Sequence, residues 1–296
     1  MNCKTLYNDV APRLLAVYEQ KDKFWLIGWV GGVALLWLWN RLFLHYPAFV
    51  QIQSAFLNTF LIGLLCIVFS VALAWSVAVG LYFLPNSRAP YLTLPLTFLL
   101  NLIRSVPQIL GVLGGYVVIT LMTSNEMLTS RTVINLLLAL VTALFVFQEL
   151  VDLIRERIDH YRKLDFVNAM LCCGVKESRI INIDILWKNS MVHVTNKLIS
   201  LFSVAIFLQC SVDFIISVGL STEVSPVNLP PTLGSILAKI NSKQDILAIG
   251  YTLTHPGYIG NLFFQHLQGI TTAFLIVFTL LSMYRISNGF SRRHRI

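Results

Sequence analysis

The hydrophobic side chains of this chain are gathered into six long runs that short polar segments separate. An α-helix needs about 20 residues to cross the hydrocarbon core of a bilayer, which is roughly 30 Å thick, because each residue advances the helix by about 1.5 Å. Each run reaches that length, so the pattern predicts six membrane-spanning helices. The predicted spans are residues 24–44, 56–83, 92–122, 132–153, 194–218 and 262–284.

Proline and polar residues define how these runs begin, break and end. Pro107 lies inside the third run, and we expect that helix to break there because proline lacks a backbone N–H donor. Residues 246–268 have two interpretations, as an external segment or as one that partly re-enters the membrane. The turn between the first two spans is predicted from His45, Tyr46, Pro47 and Gln51.

The composition agrees with a membrane protein and excludes other classes. Hydrophobic residues make up 56% of the chain and charged residues 12%, whereas a soluble domain carries roughly 25% charged residues. Disorder requires low hydrophobicity and high charge, so it is excluded as well. Strands of an outer-membrane barrel alternate apolar and polar residues and do not form long apolar runs. The predicted fold is therefore all-α and polytopic.

The basic residues predict the orientation of the chain. If the N-terminus is cytoplasmic, 16 of the 22 Lys and Arg residues fall on the cytoplasmic side and 4 on the other. Cytoplasmic loops are enriched in these residues, so we expect both termini in the cytoplasm. The cations flank apolar runs and form no continuous face, which argues against a nucleic-acid partner. The predicted organisation is a tail over 1–23, a membrane domain over 24–290 and a basic tail over 291–296.

One predicted cytoplasmic loop, residues 154–190, is unusually rich in charge. Between Glu149 and Lys188 lie 14 charged residues, of which seven are positive and seven are negative. On charge alone, this cluster indicates a solvated loop between two spans. Residues 149–156 are expected to form a solvated network along one helix, not a proton relay.

Within this loop, the spacing of apolar residues predicts a short amphipathic helix. Phe166, Met170 and Cys173 follow at i, i+4 and i+7, so they share one helical face. Asp165 suits the positive end of the helix dipole, and Gly174 stands where a helix commonly ends in glycine. We expect an apolar stripe on this helix to require a partner that covers it.

The stretch LDFVNAMLCCGVKESRIINIDILW resembles the conserved cytoplasmic loop of ABC transporter permeases of the binding-protein-dependent type. Their pattern is Glu-Ala-Ala, three residues, Gly, nine residues, Ile, one residue and Leu-Pro. Asn168-Ala169-Met170 occupies the Glu-Ala-Ala place, without the glutamate. Gly174 and Leu186 fall on the Gly and the Leu of the pattern.

Other positions extend the resemblance over much of the chain. Asp184 and Trp187 stand where the pattern has Ile and Pro, and Arg104 precedes the helix-breaking Pro107, as is common in these permeases. The most similar branch is the second permease subunit of dipeptide, oligopeptide and nickel transporters, although its long first external loop is absent. Similarity to that branch also lies at Gly219, Pro226, Thr232-Leu233, Gly234, His255-Pro256-Gly257 and Ser287-Asn288-Gly289-Phe290.

The resemblance implies a transport subunit in a bacterial inner membrane. A homologous permease would supply the other half of the pathway, cytoplasmic ABC ATPase subunits would bind ATP and Mg²⁺, and an extracytoplasmic solute-binding protein would deliver cargo such as peptides. The loop would form the helix that docks on the ATPase. The residues expected to couple this chain to the ATPase are Asp165, Phe166, Asn168, Ala169, Met170, Gly174 and Leu186.

The chain itself lacks the motifs of a nucleotide or metal enzyme. It contains no Walker A motif, no H-E-x-x-H and no C-x-x-C, so no catalytic activity, metal or cofactor is expected in this subunit. Arg104, Pro107 and Asp213 are the candidates for the translocation path. Arg104 and Asp213 are equally consistent with contacts to a partner subunit, and Gln209 is expected to form an interhelical hydrogen bond.

Three alternatives remain at the level of sequence. The nearest alternative is an ABC permease with another cargo, such as an amino acid, a phosphonate, nickel or a polyamine, or with outward transport. An ion-coupled secondary transporter or channel would require an essential intramembrane carboxylate, for which Asp213 is the candidate. A non-transporting membrane scaffold is the third alternative.

Overall fold

The computed structural model describes residues 20–86, 90–219 and 229–294. Every regular element within these residues is helical, and they contain no strand. This confirms the prediction of an all-α fold for the described part of the chain.

Four helices are individually long and apolar enough to cross a membrane. They correspond to the first, second, fifth and sixth predicted spans. The helices are α1 (Lys21–Phe43), α2 (Tyr46–Phe83), α9 (Met191–Gly219) and α13 (Leu267–His294).

The third and fourth predicted spans are each divided into two helices. In the third, α3 (Thr93–Ser105) and α4 (Gln108–Ser124) follow Pro90–Leu92 and meet at 95° around Pro107, which confirms the predicted break. In the fourth, α5 (Arg131–Val146) and α6 (Gln148–Arg162) are bent by 48° at Phe147. By length and composition, the described residues thus contain four helices that could cross a membrane, or up to six if each bent pair is one span.

The predicted turn between the first two spans is wrong. Tyr46, Pro47 and Gln51 lie inside α2 and not in a turn, and only Leu44 and His45 separate α1 from α2. Proline is tolerated there because the first turn of a helix has N–H groups without partners inside the helix.

Helix α13, which corresponds to the sixth predicted span, starts later and extends farther than that span. It begins at Leu267 and continues to His294, through the predicted boundary of the basic tail. The segment before it forms α10 (Leu233–Leu237), α11 (Ile240–Thr254), a short 3₁₀ turn and α12 (Ile259–Gln265). Residues 246–266 thus lie in short elements, none of which is long enough to span a bilayer alone, and residues 267–268 begin α13.

The chain forms two compact units. The described residues of the first unit are 20–57 and 231–294, and those of the second are 58–86, 90–219 and 229–230. In the first unit, α1 and α13 pack antiparallel: Trp29 Nε1 donates to Thr279 Oγ1 at 3.1 Å, and Thr271 Oγ1 donates to Asn40 Oδ1 at 3.0 Å. At the far end of this pair, Arg293 Nη1 donates to the buried Asp22 carboxylate at 2.8 Å.

The second unit contains a continuous apolar core built from α2, α4, α5, α6 and α9. Gly111 and Gly115 of α4 allow α5 to approach closely, because a Cβ at either glycine would collide with Phe145 or Val141. The core continues along α6 toward the charged loop. Its fully buried large side chains include Ile62, Tyr116, Ile134, Leu138, Leu150, Ile154, Ile158 and Leu201.

Candidate functional site

The predicted loop helix is present as α7 (Asp165–Cys172). It ends one residue before Cys173, the last residue of the predicted stripe. Gly174 follows it with a φ of +78°, a conformation that glycine adopts without steric cost. The Val175 N–H donates to the Met170 carbonyl at 3.1 Å and the Gly174 N–H to the Leu171 carbonyl at 2.9 Å. These bonds close the last turn of α7 and fix the direction of the chain beyond it.

The apolar stripe of α7 faces the core of its own chain. Val167 is 5% exposed, and Phe166 and Met170 are half-buried against the core of the second unit. The Phe166 ring meets the Tyr161 ring edge to face, with centroids 6.2 Å apart. The expectation that this stripe is left exposed is therefore wrong for Phe166 and Met170, which their own chain covers in part, whereas Cys173 is exposed. Periodicity identifies a buried face but not the molecule that buries it.

The opposite face of α7 is open to solvent. It combines polar and apolar side chains. The apolar side chain of Leu171 is 42% exposed there. This exposed surface, which we call the outer face of α7, consists of Asp165, Asn168, Ala169, Leu171 and Cys172.

The segment after Gly174, residues 175–189, packs into the same apolar core as the inner face of α7, and we call it the supporting segment. The short helix α8 (Glu177–Arg179) leads into a π-helical stretch, Ile180–Asn189. Leu186, predicted as a coupling residue, is fully buried and therefore belongs to the core and not to the exposed surface. Asp184 pairs with Lys188 at 2.7 Å on the opposite side of this stretch.

Two contacts that the sequence analysis missed join this segment to α2. The Tyr82 hydroxyl donates to Glu177 Oε1 at 2.5 Å, and Trp75 Nε1 donates to Asn182 Oδ1 at 2.8 Å. The Arg162 guanidinium lies 5.3 Å from the centroid of the Tyr82 ring. The two residues of each hydrogen-bonded pair are about 100 positions apart in sequence. No local sequence pattern therefore indicates these contacts.

A second polar cluster lies at the bends of the two broken spans. Arg104, just before Pro107, pairs with Asp152 of α6. Glu149 accepts from Lys197 Nζ of α9 at 2.7 Å and from Gln108 Nε2 of α4 at 3.3 Å. Glu149 and Asp152 therefore pair with neighbouring helices, so the charged network predicted at the end of the fourth span extends beyond α6. Arg104 has a partner within its own chain.

We expect Glu149→Ala to destabilise the fold by about 1 kcal/mol, because it leaves the half-buried Lys197 without its carboxylate. The midpoint of thermal unfolding in detergent, followed by tryptophan fluorescence, measures this loss. Glu156→Ala is the control, since Glu156 is exposed on the same helix. Equal midpoints for the two variants would show that the Glu149 cluster contributes nothing.

Asp213 lies inside the second unit and is only 4% exposed. It interacts electrostatically with the fully buried Tyr116 of α4. One turn earlier, Gln209 is 1% exposed, and neither atom of its amide has a hydrogen-bond partner among the described residues. The prediction of an interhelical hydrogen bond from Gln209 is therefore wrong, and the assignment of Asp213 to a translocation path remains a prediction.

The structure describes some of the other positions that carry the resemblance. Thr232 caps α10, because its Oγ1 accepts from the Ser235 N–H at 3.3 Å and Ser235 Oγ accepts from the Thr232 N–H at 2.9 Å. Gly234 is buried in that helix, whereas Pro226 lies outside the described residues.

Within the described ranges, no group of three or more His, Cys, Asp or Glu side chains is placed to hold a metal ion. No family model and no curated protein matches this chain.

Proposed function

We propose that this chain is a membrane-spanning permease subunit of an ABC transporter in a bacterial inner membrane, with both termini in the cytoplasm. It would form half of a translocation pathway, and a homologous permease would form the other half. The observation that carries the proposal is α7: a short, glycine-terminated helix whose inner face is packed on the membrane bundle and whose outer face is open.

The docking partner is a cytoplasmic ATPase subunit that carries the ATP and Mg²⁺ site. Its contact with this chain is the outer face of α7, around Asn168, Ala169 and Leu171. Phe166 and Met170 act from the other side, as the packing that makes α7 rigid against the bundle. Gly174 and Leu186 likewise shape and support the helix without contacting the ATPase.

Transport would follow from a mechanical step. ATP binding closes the ATPase pair and displaces α7. Because Phe166 packs on Tyr161 of α6, and α6 is paired through Glu149 with Lys197 of α9, the displacement passes to the fourth and fifth spans. The pathway then opens alternately to the two sides of the membrane.

The cargo proposed is a peptide or a related small molecule, delivered by an extracytoplasmic solute-binding protein. This assignment rests on the resemblance to the dipeptide, oligopeptide and nickel permeases. Arg104, Pro107 and Asp213 remain the candidates for path residues.

The experiment is purification of the affinity-tagged chain from its native membrane in mild detergent. We expect a co-purified subunit with a Walker A motif and ATP hydrolysis that vanadate inhibits. Deletion of residues 165–174 should remove that subunit while the chain stays in the membrane. A complex without an ATPase, or one that keeps it after the deletion, would overturn the proposal.

One observation favours a second candidate, an ion-coupled secondary transporter. Asp213 is a carboxylate buried inside a membrane bundle, and such residues are costly and often functional. This alternative predicts ion-dependent transport by the purified chain alone in vesicles, lost in Asp213→Asn. It also predicts that the complex contains no ATPase.

A further inference from the structure

The C-terminal part of α2 is hydrogen-bonded to the supporting segment. Trp75 and Tyr82 are seven residues apart, which places them on one face of α2 two turns from each other. Their polar tips bind Asn182 and Glu177, which are five residues apart in the supporting segment. Two separated hydrogen bonds between the same two elements restrict sliding as well as separation.

One acceptor and one donor of these bonds have a further contact that holds them in place. The Asn182 side chain donates from Nδ2 to the Ser178 carbonyl at 3.0 Å, which fixes the orientation of its Oδ1 toward Trp75. The Arg162 guanidinium lies over the Tyr82 ring, a favourable cation–π arrangement. Ile180, Ile181 and Ile185 are buried beside these bonds. Because hydrogen bonds are directional, these two bonds contribute to the register of α2 on this segment together with the apolar packing.

We infer that the Tyr82–Glu177 and Trp75–Asn182 contacts make α2 a third moving helix, driven from α7 together with the fourth and fifth spans. These four are positioning residues: they act on α2 through the supporting segment and touch neither ATPase nor cargo. The inference rests on the proposed function, because it requires a nucleotide-dependent displacement of α7.

A purely structural role for the same contacts is the competing explanation. In both cases, loss of the contacts lowers stability slightly, because each hydrogen bond makes a modest net contribution to the fold. Only the coupling role requires that α2 stop responding to nucleotide while α7 continues to respond. Stability alone therefore does not distinguish the two explanations, and the response of each element must be measured separately.

The experiment is hydrogen–deuterium exchange on the complex with its co-purified ATPase in lipid nanodiscs, with and without Mg·ATP and vanadate. Peptides covering residues 165–174 and 79–86 report on α7 and on the end of α2. In the wild-type complex, we expect exchange to change in both peptides. In the double variant Tyr82→Phe/Asn182→Leu, we expect the 165–174 change to persist and the 79–86 change to fall to background.

Two control variants separate the contacts from general perturbation. Glu177→Gln keeps an acceptor oxygen for Tyr82 and should retain the 79–86 response. Tyr91→Phe removes a hydroxyl from a residue that is 70% exposed and should behave as wild type. A 79–86 response that survives in the double variant overturns the inference. If 165–174 does not respond in the wild-type complex, or no ATPase co-purifies, the proposed function fails instead.

Discussion

Ala169→Arg is expected to abolish association with the proposed ATPase partner while leaving this chain folded in the membrane. Ala169 is exposed at the centre of the outer face of α7. Arginine has nearly the helix propensity of alanine, so the helix itself should persist. A long charged side chain in the centre of a packed interface prevents close approach, and changes at central interface positions cost about 2 kcal/mol or more, which corresponds to roughly 30-fold weaker binding.

The amount of co-purified ATPase and the vanadate-sensitive hydrolysis measure this effect. Ser124→Arg is the matched control, because Ser124 is also exposed and lies at the end of α4, far from α7 in sequence. We expect the control to retain the ATPase. If Ala169→Arg retains it equally, the outer face of α7 is not the docking surface.

Gly289→Leu is expected to cause a large loss of stability in the first unit. A Cβ at Gly289 would lie 2.6 Å from the backbone N of Asp22 and 3.0 Å from its Cα. Backbone atoms cannot rotate away, so α1 and α13 must separate, which weakens the Arg293–Asp22 pair. Overpacking typically costs about 1–3 kcal/mol, and we expect the upper end of that range here because backbone has to move.

The comparison variant is Gly28→Leu on α1. A Cβ at Gly28 would meet nothing within 4 Å, so this change adds the same side chain without a collision. The thermal unfolding midpoint in detergent and the yield of monodisperse protein are the measurements. Similar losses in both variants would show that close approach at Gly289 does not hold α1 and α13 together.

The sequence predicts the helices better than it predicts their bends. Apolar runs longer than a bilayer requires identify α1, α2, α9 and α13, and Pro107 marks the 95° bend because it removes a backbone donor. The 48° bend at Phe147 has no such local signal. Phe147 is buried, which indicates that tertiary packing stabilises this bend.

For the candidate site, the sequence predicts the helix but not its orientation. The spacing of Phe166 and Met170 and the position of Gly174 locate α7 within one residue. The same spacing does not reveal that the stripe packs on its own chain. The polar contacts that hold the site together join residues far apart, such as Tyr82 and Glu177 or Arg104 and Asp152. Such pairs depend on the tertiary fold and leave no periodic signal.

The length of α2 constrains how deeply the chain sits in a bilayer. Its 38 residues contain no Asp, Glu, Lys or Arg, and the helix is about 57 Å long. Tilting by about 40°, the upper end of what transmembrane helices adopt, still leaves it about 44 Å tall, the thickness of a bilayer including its headgroups. At least one end of this uncharged helix must therefore emerge among the lipid headgroups. With no charged side chain of its own to anchor it there, its depth is determined by the elements that surround it.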